Sequence, residues 1–350
     1  MNKNKFKDFN PNNTAIPNRI FGLPHNKEEA KIHIIGFPSA ITVSGGEGAE
    51  FGPMGILDGS LQIELFNKNY PQNAWLPGIF MYPINKKFIR ISLRGRKNFQ
   101  RMINLMGEKN DFDAKKQIKE LAKKVDENCN FLHQVQEREV AAALKKNKIV
   151  GSIGGCHSSM FAAIKAHASI YKSFTILHFD AHHDLRKAYE GVKYSHASIM
   201  YNVLENIPQV KKIVSVGIRS YGEDEYKYAK ENKKRIKTFY ADDVIGFNYN
   251  KVWKLFLKQI VLSISTKEVY ISFDIDCFEP YLCPSTGTPV PGGFNMWQTK
   301  QLIDVVANKK KIIGFDLSEV VPKTRIDKVV AAEVLYHLCV RALQSQGAYN

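Results

Sequence analysis

The sequence predicts a single three-layer α/β/α domain on a mostly parallel central sheet. Short apolar, β-branched runs recur along the chain, and each is followed by a longer helical or loop segment, the alternation that parallel strands joined by crossovers require. The residues able to do chemistry stand just past the ends of those runs, where open α/β sheets bind their ligands. No internal repeat, low-complexity tract or interdomain linker divides the 350 residues, so one domain is the better count.

In chain order, residues 1–30 read as a polar N-terminal extension and 31–345 as the domain. Ile32 to Phe37 is the first apolar run, and it feeds a loop through Pro38 and Gly45, Gly46 and Gly48. From Asp113 to Lys146 apolar residues recur near helical spacing between Lys and Glu, predicting one long or broken amphipathic helix. Further strands are expected at Ile149 to Ile153, Phe174 to Phe179, Ile213 to Val216, Val269 to Phe273 and Ile312 to Phe315.

Composition narrows the function classes. Hydrophobic residues at 44% and charged residues at 24% fit an ordinary globular enzyme. No apolar run reaches the roughly 20 residues that span a bilayer, and Met1 to Asn13 lacks a signal peptide's apolar stretch, so a cytoplasmic protein without a membrane partner is expected. The net charge of +16 comes mostly from scattered lysines with no nucleic-acid-binding motif beside them. A solvated basic surface is therefore expected, and no nucleic-acid partner. Five widely spaced cysteines, with no Cys-x-x-Cys pair, fit a reducing compartment.

Past the predicted strand ends lie Gly154-Gly155-Cys156-His157-Ser158, Asp180-Ala181-His182-His183-Asp184, Ser195-His196, Asp274-Ile275-Asp276 and Asp316-Leu317-Ser318-Glu319. Spacing two in extended chain puts Asp180, His182 and Asp184 on one face, and likewise Asp274 with Asp276. With His157 they offer two imidazoles and four carboxylates, too anionic a set to stand without cations near neutral pH. Two divalent ions roughly 3.5–4 Å apart would neutralise it and hold a water between them. Such ligation suits Mn²⁺, with Ni²⁺, Co²⁺ or Zn²⁺ as alternatives. His183 is expected to point away from the set, His178 to be a hydrogen-bonded core residue, and His25, His33, His133, His167 and His337 to be ordinary helix or loop histidines.

These motifs, with Ser272-Phe273 before Asp274, Gly287-Thr288-Pro289-x-Pro291-Gly292-Gly293 and Gly314-Phe315-Asp316-x-x-Glu319, resemble the ureohydrolases, the family of arginase and agmatinase, and most of all its agmatinase-like members. The resemblance runs from about Ile32 to Leu343. It implies that His157, Asp180, Asp184 and Asp274 hold one Mn²⁺, and that Asp180, His182, Asp274 and Asp276 hold the other. It further implies that Glu319 binds the guanidinium of a small substrate, that His196 carries a proton near the leaving amine, and that the chain forms a homo-oligomer, a trimer or hexamer.

The expected reaction releases urea and an amine, agmatine being the favoured substrate. Arginine, a guanidino acid, formimidoylglutamate and guanidine are the alternatives within the family. A one-metal deacetylase-type hydrolase and a metal-binding protein without catalysis are the rivals outside it. Cys156 stands where the family usually has Asp, and is read as a small buried residue; the expectation is that His157 thereby loses a carboxylate acceptor that would orient it. Arg186 and Lys187 would repel a substrate amine and attract a carboxylate if they faced the pocket, whereas Glu190 offers an amine acceptor.

Overall fold

The computed structural model describes residues 6, 8–43, 45–107, 112–245 and 249–349. Its elements run in the order β1 (Ile32–Phe37), α1 (Gly52–Ser60), β2 (Ile79–Met81), α2 (Lys86–Gly107), α3 (Phe112–Leu144), β3 (Ile149–Gly154), α4 (Phe161–Ala168), β4 (Phe174–Phe179) and α5 (Ile199–Asn206). There follow β5 (Val210–Ile218), α6 (Glu223–Glu231), β6 (Ile236–Tyr240), α7 (Ala241–Ile245), α8 (Tyr249–Ser263), β7 (Glu268–Asp274), α9 (Met296–Ala307), β8 (Lys311–Ser318) and α10 (Arg325–Ser345).

The eight strands form one sheet in the order β2-β1-β3-β8-β7-β4-β5-β6, and every pairing is parallel. Helices cover both faces. One core gathers α8, α9 and α10 through residues such as Phe256, Leu302 and Leu335, and the other gathers α2 to α5 through Phe99, Val125, Ile164 and Val203. Burial on both faces is why β1, β3 and β4 read as unbroken apolar runs: all of their residues are buried. The expected architecture is the one observed.

Two strands were not foreseen, and of the helices only α3 had been placed. β2 is three residues long, and β6 is a sheet edge whose burial alternates, so neither has the apolar density of a central strand. In α10, buried side chains surround the axis from Val330 to Leu343, which removes the polar stripe that gives a surface helix its period. Basic α2 hides a narrow apolar stripe, Phe88, Phe99 and Met102, among arginines and lysines. By contrast α3 is a single unbroken helix that buries Leu121, Val125, Leu132 and Val140, while Lys115, Lys116, Lys123 and Lys124 face solvent as expected.

Ahead of β1, Ile20, Phe21 and Leu23 are buried in the core, and Phe9 packs edge-on to Trp75 at 4.9 Å. All five cysteines are free and buried. Among the described residues, no helix is long and apolar enough to cross a membrane.

Candidate active site

The four central strands β3, β8, β7 and β4 are neighbours, and their carboxyl ends deliver the chemistry to one place. His157 follows β3, Asp180, His182 and Asp184 follow β4, Asp274 and Asp276 stand at and just past the end of β7, and Glu319 comes directly after β8. Asp184 and Glu319 turn off their strands in the left-handed backbone region, with φ of 54° and 59°. For residues with a β-carbon that is strained backbone, of the kind that concentrates at functional sites.

The carboxylates converge on the two imidazoles in two lobes. His157 Nδ1 lies 3.2 Å from Asp180 Oδ2, 3.0 Å from Asp184 Oδ2 and 3.5 Å from Asp274 Oδ2. His182 Nδ1 lies 3.4 Å from Asp180 Oδ1 and 3.0 Å from Asp276 Oδ2. Asp180 thus turns one oxygen to each lobe. Backbone amides fix the carboxylates: His182 N donates to Asp180 Oδ1 at 2.6 Å, Ala181 N to Asp276 Oδ1 at 3.0 Å, and Asp276 N to Asp274 Oδ1 at 3.0 Å.

Beneath the site a buried polar row crosses the sheet at one register level: Ser152, Asp316, Ser272, His178 and Ser215 on β3, β8, β7, β4 and β5. It holds both lobes. Ser272 Oγ donates to Asp316 Oδ1 at 3.1 Å and so accepts from His157 Nε2 at 2.9 Å. This network places a proton on Nε2 and leaves Nδ1 facing the carboxylates. His178 bridges Ser215 Oγ at 3.1 Å and Asp180 Oδ2 at 2.9 Å, so the expected core histidine also orients the shared carboxylate.

The expectation that Cys156 leaves His157 poorly oriented is therefore corrected. Cys156 Sγ instead meets Ser158 Oγ at 3.1 Å, in a small buried cluster with Ala40, Val43, Ala49 and Val321, and His157 takes its orientation from the opposite side.

The donor set fits divalent cations. His157 Nδ1 is buried within 3.5 Å of three carboxylates, whose charges repel one another. Burial and neighbouring carboxylates push Asp274 well above the usual range and Asp184 up to about 7. Burial also raises Glu319 to about 8, and it lowers His182, yet the hydrogen bonds to Asp180 and Asp276 carry that imidazole up to about 11. Positive charge placed among these groups would favour their ionised carboxylate forms. The side chains of His157, His178, Asp180 and Asp184 form one cluster of metal-ligand spacing, and those of Asp180, His182 and Asp276 form another.

A cavity of about 280 Å³ opens over these lobes and is also lined by Glu319, His196, Arg186, Tyr189, Tyr221 and Thr288. Glu319 Oε1 accepts from His157 N at 2.8 Å. His196 N donates to Thr42 Oγ1 at 3.1 Å, and burial lowers the imidazole to about 4, so the ring is neutral at pH 7. Arg186 does face this cavity, but its charge is matched: Nε lies 3.4 Å from Glu225 Oε2, and the guanidinium stacks 4.7 Å from the Tyr189 ring centre. Lys187 and Glu190 do not line it. His183 points away, into a contact with Tyr240 Oη at 3.3 Å, and is buried.

A parallel α/β/α sheet with carboxylate and imidazole ligands gathered at its central strand ends defines a metallohydrolase-type scaffold. The Arginase family profile matches residues 30–342, and the chain belongs to that family. It is 35% identical over 207 residues to the N(1)-aminopropylagmatine ureohydrolase of Thermus thermophilus, an alignment covering 59% of this chain and 66% of that protein. It is 28% identical over 311 residues to the agmatinase of Bacillus cereus, covering 88% of this chain and 90% of that protein.

Among solved structures, the agmatine ureohydrolase of Thermoplasma volcanium superposes with a TM-score of 0.71 at 22% identity, over 95% of this chain and 96% of that one. The proclavaminate amidino hydrolase of Streptomyces clavuligerus gives 0.71 at 24% identity, over 95% and 99%. These two likenesses establish the shared fold.

Proposed function

We propose that this chain hydrolyses a guanidino compound to urea and an amine, and that its favoured substrate is agmatine, which would yield putrescine. The observation that carries the reading is Asp180, with one oxygen toward His157 and the other toward His182, below a cavity walled by Glu319 and His196. His157, Asp180, Asp184 and Asp274 would hold one divalent ion, and Asp180, His182, Asp274 and Asp276 the other, with Mn²⁺ the expected metal and Ni²⁺ or Co²⁺ the substitutes. When bound, the pair supplies Lewis acidity and a water acidified enough to be nucleophilic at neutral pH.

The chain's own groups do the rest. Glu319 accepts the paired N–H donors of the planar guanidinium, the geometry in which a carboxylate binds such a cation best. The cationic guanidinium stabilises the ionised form of Glu319, whose pKa burial raises. His196, neutral at pH 7, takes up a proton and returns it to the departing nitrogen, which leaves as an amine. The names of the relatives support the substrate class, and the Glu225 partner of Arg186 removes the main objection to a substrate carrying a second amine. The reading includes a cytoplasmic location, supported by five free cysteines, and a trimeric or hexameric assembly, supported by the family resemblance.

The test is urea release by the purified chain with added Mn²⁺ or Ni²⁺ against agmatine, arginine, guanidinobutyrate, formimidoylglutamate and guanidine, with metal counted by elemental analysis. Urea from agmatine, two ions per subunit and loss of activity on chelation are expected. Full activity with one ion overturns the two-ion reading. Glu319→Gln should retain its metal while kcat/KM for every guanidino substrate collapses; loss of metal would make Glu319 a ligand instead.

A further inference from the structure

β5 lies beside β4 in the sheet, and the residue directly past its end is Arg219. The ends of β3, β4, β7 and β8 deliver ligands or Glu319, whereas this one delivers a cation. Its main chain is fixed first. Arg219 N and Ser220 N donate to Ala181 O at 2.8 and 3.0 Å, and Ser220 pairs in parallel with His182, so the backbone after β5 braces the residue that carries the second imidazole.

The guanidinium then reaches across the end of β7. Its Nη2 donates to Asp276 O at 2.8 Å, Phe278 O at 3.1 Å and Val290 O at 2.7 Å. Nη1 donates to Gly217 O at 2.9 Å and Cys277 O at 3.4 Å, and Nε to Val290 O and Pro291 O, each at 3.1 Å. These acceptors are all main-chain carbonyls, and they belong to three segments far apart in the chain. One of those segments follows Thr288, which lines the cavity and whose Oγ1 donates to Asp276 Oδ2 at 3.3 Å. The other oxygen of Asp276 accepts from Ala181 N at 3.0 Å. Each hold on Asp276 therefore leads back to Arg219, either through its fork or through its backbone. His157 is oriented by another route, through Ser272 and Asp316.

We propose that Arg219 is the positioning residue of the His182 lobe, locking Asp276 Oδ2 and His182 Nδ1 at their 3.0 Å spacing and so setting the affinity of that metal site independently of the His157 site. The inference rests on the two-ion reading above. Charge and geometry make opposite demands here. A guanidinium beside a cation site repels the metal, so its removal would tighten the site if charge were all it contributed. A planar fork of five N–H donors meets divergent carbonyls as an ammonium cannot, so losing the fork loosens the site whether or not the charge stays.

The test titrates the metal-free chain with Mn²⁺ by calorimetry, for wild type, Arg219→Met, Arg219→Lys and Thr288→Val, with His182→Ala identifying the step that belongs to the His182 site. Both Arg219 variants should weaken that site by about 10–100-fold, the usual loss when a ligand's supporting partner is removed, and change the His157 site little. Thr288→Val, at a partly exposed position, loosens the same carboxylate from the loop side and should weaken the same site, which keeps the test open where Arg219→Met folds poorly. At Mn²⁺ sufficient to fill both wild-type sites, electron paramagnetic resonance should show coupled ions in wild type and isolated ions in the Arg219 variants. A tighter His182 site in Arg219→Met, wild-type affinity in Arg219→Lys, or equal weakening of both sites overturns the proposal while the two-ion reading stands. A single ion bound by wild type overturns that reading and this inference with it.

Discussion

Replacing Ser272 with alanine should weaken one metal site and spare the other. The hydroxyl is the acceptor for His157 Nε2 at 2.9 Å and passes its own proton to Asp316 at 3.1 Å. His157 is 1% exposed, so no water replaces the lost acceptor, and the buried N–H is left unpaired. A buried donor without a partner costs about 1–3 kcal/mol, which at roughly 1.4 kcal/mol per factor of ten is about 5–150-fold in affinity. The usual loss on removing a ligand's orienting partner, about 10–100-fold, falls in the same range.

Titration calorimetry of the metal-free chain with Mn²⁺ should resolve two sites, with the His157 site weakened by about that factor and the His182 site changed little. Ser272→Thr, which keeps the hydroxyl, should restore the wild-type isotherm. Unchanged affinity at both sites, or equal weakening of both, would refute the proton path from His157 through Ser272 to Asp316.

Cys156→Asp should lower the melting temperature without tightening either metal site, because the new carboxylate enters an apolar cluster near Glu319 and His157 already has its partner; a tenfold gain in Mn²⁺ affinity by calorimetry would contradict this. Asp180→Asn should reduce urea release by orders of magnitude, since it removes charge from the carboxylate shared by both lobes, and near-wild-type turnover at low metal would exclude the sharing.

Burial holds His167 at about 4 in the folded chain against about 6.5 when unfolded. The unfolded state therefore takes the proton first, and stability present above pH 6.5 is lost as the pH falls toward 4, by about 3 kcal/mol in the limit. Urea unfolding at pH 7 and pH 4.5 should show this loss, and His167→Gln should flatten the slope; an equal slope in the variant would assign the acid sensitivity elsewhere.

What the sequence determined by itself was local. Six strand positions, the long helix α3 and the ligand residues were legible because a strand buried on both faces is a continuous apolar run, and because its functional polar residues follow it directly in the chain. Asp180, His182 and Asp184 share a five-residue segment, so their common purpose is written in their spacing.

The tertiary structure alone decided everything that depends on register. Ser152, Asp316, Ser272, His178 and Ser215 are isolated polar residues in five separate strands, and only the parallel pairing sets them in a row that protonates His157 at Nε2 and steadies Asp180. The same holds for Arg186. The sequence carries its charge, but only packing against Glu225 determines whether it repels a cation, because that interaction acts over a few ångströms between segments distant in the chain.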